Sequence, residues 1–182
     1  MTYVMGIDPG VNGAMAVYDD QQDKLIDVTP MPKFKMKVGR TTRERVDAYA
    51  LHQYFVTWAL MGTRLAVMEA VSGRGNQMGG AAFSYSVGLV YMGLVAARIP
   101  VETSPPNVWK KIMRVPKDDL GISQRANEIF PNARHHWTGK MGGFKDGNAE
   151  AAIMAYFGAA HMLHVAPRDS EEHMYKRAET GG

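Results

Sequence analysis

The chain has 182 residues, 46% hydrophobic and 21% charged, the balance of a single globular domain with one substantial core. It has no cysteine, which excludes disulfides and thiolate metal sites, and no apolar run of the ~18 residues that a membrane span needs. A net charge of +3 is small, but segment 33–45 concentrates it: Lys33, Lys35, Lys37, Arg40, Arg43 and Arg45 face only Glu44.

The first residues lack a basic stretch ahead of an apolar core, so a secretory leader is not expected and a cytoplasmic location is. Tyr3 to Ile7 is a short apolar run ending in Asp8-Pro9-Gly10, a buried strand that stops at the aspartate. Ala14 to Tyr18 and Leu25 to Thr29 predict two more strands, antiparallel because their connections are too short for a crossover. Lys33 to Val38 alternates basic with apolar, an extended ribbon with its lysines on one face.

Val46 to Met61 predicts a helix, with Leu51, Tyr54, Phe55 and Trp58 along one buried stripe. Leu65 to Met68 is a strand ending at Glu69, and 70–80, with four glycines, is expected to be a mobile loop. A helix over 81–98 follows, tolerating Gly88 and Gly93 at ~1 kcal/mol each relative to alanine. Close packing, on the domain's own sheet or across a two-fold dimer interface, would explain that tolerance. Val101 to Thr103 predicts a strand, and Pro105-Pro106 opens a short helix carrying Trp109, Lys110 and Lys111. Ser123 is the expected N-cap of a helix ending near Phe130, and Pro131 to Lys145 is expected as loop. The last strong helix runs from Asn148 to His164. The expected organisation is one α/β domain over 1–165, with a mixed five-stranded sheet flanked by helices, and a polar tail over 166–182.

Four acids stand where chemistry could use them. Asp8 and Glu69 end strands, which are rigid mounts; if those strands are neighbours, the two emerge side by side. Asp146 and Glu150 are four apart at a helix start and share a face. Hydrolysis of a phosphodiester needs an activated water and charge stabilisation on the leaving oxygen, which two Mg²⁺ ions held by hard oxygen ligands can supply. Singly, the plain readings compete: Asp8 as a turn former, Asp146 as a helix cap. Together the four acids repel one another unless a cation offsets them.

Gly6-Ile7-Asp8-Pro9-Gly10 with Gly13, Val67-Met68-Glu69, and Asp146-Gly-Asn-Ala-Glu150-Ala-Ala resemble the RuvC family of Holliday junction resolvases, in particular its compact phage-type members. Thr103-Ser-Pro-Pro-Asn-Val-Trp-Lys-Lys111, Lys117-Asp118, Ser123-Gln-Arg125-Ala and Phe130-Pro131 extend the resemblance over roughly residues 3–160. It implies a ribonuclease H-like fold, Mg²⁺ or Mn²⁺ dependence with two ions per site, and a homodimer that makes paired nicks in a four-way DNA junction. Carried over by position, Asp8, Glu69, Asp146 and Glu150 would be the metal ligands. Bacterial members space the last two ligands by three and usually end with Asp, whereas this chain has four and Glu, as its phage-type relatives do. They also place an aromatic residue just after the strand-end glutamate. Here Ser72 stands nearby, which leaves Met78 or Phe83 to wedge the junction and keeps flap or fork DNA open as substrates.

Among the remaining cations, Lys110, Lys111, Lys117 and Arg125 are candidates for phosphate contact. Lys117 is favoured for a catalytic part, stabilising developing charge. Lys33, Lys35, Lys37 and Arg40 would track the DNA backbone; ordinary solvated surface charge is the plain alternative. His135, His136, His161 and His164 do not assemble into a zinc set by spacing. A non-catalytic junction-binding protein is the alternative from another class. An actin-like ATPase or sugar kinase would need a second comparable domain, for which the chain is too short.

Overall fold

The computed structural model describes residues 1–70, 80–139 and 143–163. Three strands open the chain, β1 (Tyr3–Asp8), β2 (Ala14–Asp19) and β3 (Lys24–Pro30), followed by the ribbon β4 (Lys33–Val38) and β5 (Thr41–Val46). Then come α1 (Ala48–Leu60), β6 (Thr63–Glu69), α2 (Gly80–Ala96), β7 (Val101–Ser104), α3 (Pro106–Ile112), α4 (Asp119–Ile129) and α5 (Asp146–His161), with a 3₁₀ turn at Arg134–His136. The main sheet has the order β3-β2-β1-β6-β7. Its β1–β2 and β2–β3 pairs are antiparallel, and its β1–β6 and β6–β7 pairs are parallel. This is the mixed five-stranded sheet that the element order predicts.

The central strands are apolar on both faces because both are covered. Side chains alternate across a strand, so Val4, Ala14, Ala16, Tyr18, Leu65 and Val67 join the core under α4 and α5. Tyr3, Met5, Ile7, Met15, Val17, Ala66 and Met68 join the core under α1 and α2. Helix α5 lies almost backbone to backbone on β1. A Cβ at Gly6 would stand 2.2 Å from Ala151 O and Ala155 N, and one at Gly158 would meet Val67 Cγ2 at 2.6 Å. Small residues at the contact therefore set how close α5, with its acids, comes to the end of β1.

Several expected boundaries move, each for a local reason. Val46 ends β5, a strand missed from the sequence, and α1 starts later, where the Asp47 carboxylate accepts from Tyr49 N–H and Ala50 N–H at 3.1 and 3.0 Å. Ser123 is not an N-cap. Helix α4 begins a turn earlier because the Asp118 carboxylate accepts from Gly121 N–H at 2.8 Å, and Ser123 lies buried within the helix, its hydroxyl unpartnered among the described residues. Helix α5 begins at Asp146, earlier than expected. Its entry is held by Lys145 N–H on Trp137 O (2.9 Å) and Asn148 Nδ2 on His136 O (2.7 Å). The expected loop 70–80 falls largely, and the tail 166–182 wholly, outside the described residues.

Candidate active site

β1 and β6 are parallel neighbours with Ile7 opposite Met68, so the next residues, Asp8 and Glu69, leave the same sheet edge side by side. Adjacent strands lie ~4.8 Å apart, which places the two side chains within reach of a shared ion. The turn after β1 closes through Gly13 N–H on Gly10 O (2.9 Å). Two glycines make room for the Asp8 carboxylate: a Cβ at Gly13 would lie 2.8 Å from its Oδ2, and one at Gly147 would lie 2.9 Å from the same atom. Gly147 follows Asp146, so the close approach of α5 delivers Asp146 beside Asp8.

The electrostatics report the same convergence. The Asp8 carboxyl is pushed up from 3.8 to about 6, first by burial and then by Glu150, Glu69 and Asp146, against a weak bond from Gly10 N–H. Burial, Glu69 and Asp146 also raise Glu150, while Lys110 lowers it. All four acids singled out from the sequence are thus close enough to feel one another. Asp8 and Asp146 share a cleft of about 370 Å³ walled by Gly10, Asn12, Ala82 and Phe83. Glu69 borders a second cleft, lined from α2 by Ser84 and Tyr91 and from β7 by Thr103.

Helix α3 supplies a layer of support behind these acids. Trp109 is fully buried and its Nε1–H donates to Glu69 Oε2 at 3.1 Å. Its neighbour Lys110 donates from Nζ to Glu150 Oε1 at 2.5 Å, with the ammonium 5.3 Å from the Trp109 ring centroid. A buried indole N–H needs an acceptor, which is the signal that could have tied Trp109 to an acid beforehand.

The other candidates fall in varied places. Lys33 donates to Asn12 Oδ1 (2.9 Å) and Glu44 Oε2 (2.7 Å). Lys35, Lys37, Arg40, Lys111 and Lys117 are exposed, and among the described residues no ion pair joins Lys117 to the four acids. Arg125 holds α3 to α4, donating to Met113 O (2.7 Å) and Glu128 Oε2 (2.6 Å). Phe83 lines the Asp8 cleft and is part-exposed, whereas Met78, Ser72 and His164 lie outside the described residues. His135 and His136 stack on each other at 4.1 Å, and His161 lies against Phe157.

Among the described residues, no group of three or more acids or histidines closes to metal-holding distance. The acids gather within electrostatic range without meeting at one point. The donor set nonetheless suits a hard divalent cation: four carboxylates, with the Lys110 ammonium the one cation paired with them among the described residues, and a buried aspartate whose charge is disfavoured.

A mixed five-stranded sheet of order β3-β2-β1-β6-β7, flanked on both faces by helices, is the ribonuclease H-like fold in the form that RuvC structures share. The chain is similar to Thermus thermophilus RuvC in complex with a Holliday junction substrate, at a TM-score of 0.58 and 14% identity, over 90% of this chain and 98% of that one. A second structure of Thermus thermophilus RuvC matches at a TM-score of 0.51 and 14% identity, over 87% and 95%. No protein-family model matches the sequence, and no curated protein does. The likeness establishes the fold. No helix among the described residues is long and apolar enough to cross a membrane.

Proposed function

We propose that this protein is a divalent-metal-dependent endonuclease that cuts branched DNA, four-way junctions foremost, by paired nicks from a homodimer. The observation that carries the reading is the convergence of Asp8, Glu69, Asp146 and Glu150: the Asp8 carboxyl is displaced toward neutral pH first by burial and then by the charges of the other three. The similarity in fold to a protein bound to a Holliday junction supports the choice of substrate.

Asp8, Glu69, Asp146 and Glu150 would hold Mg²⁺, or Mn²⁺ in its place, two ions per site. Bound there, the metal supplies activation of the attacking water and neutralisation of charge on the leaving 3′ oxygen. Asp8 and Glu69 hold their places because β1 and β6 are each hydrogen-bonded to a strand on both sides. Trp109 orients Glu69 through its indole N–H, and such supporting bonds govern how well a ligand is aimed. Lys110 pairs with Glu150, opposes the rise that burial imposes on its carboxyl, and stands where it can turn toward a phosphate. Lys33, Lys35, Lys37, Arg40, Lys111 and Lys117 position the DNA backbone without reading sequence. The exposed apolar side chains Met92 and Val95 of α2 offer a face for the two-fold contact.

The test is cleavage of matched linear, flap, fork and four-way DNAs with Mg²⁺. The proposal expects symmetric nicks in the four-way DNA, lost in Asp8→Asn and Glu69→Gln proteins that still bind it. Cleavage retained by both variants refutes the assignment of the site. Preferential cutting of flaps or forks would move the substrate and keep the chemistry. A wild-type protein that binds junctions, takes up no Mg²⁺ and never cuts would be a non-catalytic binder.

A further inference from the structure

The β4–β5 ribbon has two chemically different faces. Directly opposed residues of an antiparallel pair share a face, so Lys33/Val46, Lys35/Glu44 and Lys37/Thr42 lie on one, and Phe34/Arg45, Met36/Arg43 and Val38/Thr41 on the other. The first is the lysine face expected from the sequence. The second combines apolar side chains with guanidinium groups, and it is open to water: Phe34 is 46% and Met36 39% exposed.

Apolar side chains grouped on an exposed surface mark a contact surface. Charge narrows the occupant. A second copy of this ribbon would set arginine against arginine, whereas a polyanion is attracted. Flat guanidinium planes beside an aromatic ring suit the faces of unstacked bases. Position narrows it further. At the root of the ribbon Lys33 bonds Asn12, which walls the cleft containing Asp8 and Asp146. The Arg45 guanidinium stands 6.0 Å from the ring centroid of Tyr85, on the α2 turn that brings Phe83 to the same cleft. Six strand residues reach ~20 Å from that rim, about six base-pair steps.

We propose that the Phe34, Met36, Arg43 and Arg45 face of this ribbon receives unpaired bases at a DNA branch point, while its lysine face follows the adjacent phosphates. The proposal rests on the branched-DNA reading above. It gives the ribbon, rather than Met78 or Phe83, the task of holding the junction open.

Metal-free binding isolates it from catalysis. The probes are a four-way junction carrying 2-aminopurine beside the branch point and a linear duplex of the same sequence, read by anisotropy and by 2-aminopurine emission. The expected result is that Phe34→Leu combined with Met36→Ala weakens junction binding about 10-fold and abolishes the emission change, with duplex affinity unaltered. Phe34→Trp combined with Met36→Ala, which returns a stacking ring to the same face, should restore both and so separates loss of the ring from loss of the ribbon. Lys35→Ala and Lys37→Ala should weaken both DNAs alike, each lowering the salt slope by about one. An emission change that persists in the Phe34→Leu, Met36→Ala protein overturns the proposal and leaves the nuclease reading standing, as does equal loss on duplex and junction. A wild-type protein with no preference for the junction overturns both.

Discussion

Asp8→Asn should make the metal-free protein more stable at neutral pH while destroying cleavage. Folding moves the Asp8 carboxyl from 3.8 to about 6, mainly by burying it and partly by setting it beside Glu150, Glu69 and Asp146. Below both values the group is protonated in folded and unfolded chains alike, and there is no difference. Between them the folded protein keeps a proton that the unfolded chain releases, so the free energy of unfolding falls as pH rises. Above about 6 the whole cost is present. A shift of about 2 units at 1.36 kcal/mol each amounts to roughly 3 kcal/mol. For a chain of this length that is about 6–12 °C in melting temperature. Asparagine occupies the same volume, can still accept from Gly10 N–H, and carries no charge to desolvate. Melting curves of the two proteins in EDTA at pH 4 and pH 7.5 should therefore lie within about 1–2 °C of each other at the lower pH, where only about 0.5 kcal/mol of the cost is present, and separate fully at the higher. Millimolar Mg²⁺ should raise the wild type and leave the variant unmoved. No gain for the variant at pH 7.5, or the same gain at both pH values, would refute the claim that Asp8 is buried among other acids.

Trp109→Phe keeps the buried ring but removes the donor to Glu69. It should leave the fold intact and weaken Mg²⁺ affinity or activity about 10- to 100-fold, read by calorimetry and by a metal titration of cleavage; wild-type values would make the bond incidental. Lys110→Met deletes the ammonium against Glu150, so Mg²⁺ should bind several-fold more tightly while the rate of cutting falls, and unchanged Mg²⁺ binding would contradict competition for that carboxylate. Gly6→Ala forces a methyl into the backbone of α5, where the nearest atoms are 2.2 Å away. It should cost about 3 kcal/mol in urea unfolding and abolish cleavage by moving Asp146 and Glu150 off the strand end.

Much of this was written in local pattern. Alternation and apolar runs located the five strands of the main sheet, and punctuation by Asp8-Pro9-Gly10 and by Glu69 placed two acids at strand ends before any packing was known. The four-residue spacing of Asp146 and Glu150 put both on one helix face for the same local reason. Local signals were weaker at caps. Asp118 and Ser123 both have side chains able to cap α4, and the geometry of the following turn, with Gly121 N–H in range of the Asp118 carboxylate, selects Asp118. The strand Thr41–Val46 has no apolar alternation to betray it. It exists because β4 pairs with it, and that pairing divides arginines and lysines between two faces.

The sequence by itself determined which residues could take part: the acids, the cations of segment 33–45, and the Trp109-Lys110 pair. Only the tertiary structure decided who faces whom. That Asp8 adjoins Glu69 follows from β1 and β6 being parallel neighbours, and that it adjoins Asp146 follows from Gly6 and Gly147 letting α5 down onto the sheet. That Lys110 serves Glu150 follows from α3 lying against α5, and that Arg125 reaches Met113 O follows from α4 lying against the end of α3. Charge and hydrogen bonding act over a few ångströms in space, and residues forty or a hundred positions apart are brought to that range by the packing of the whole core, which no local stretch of sequence encodes.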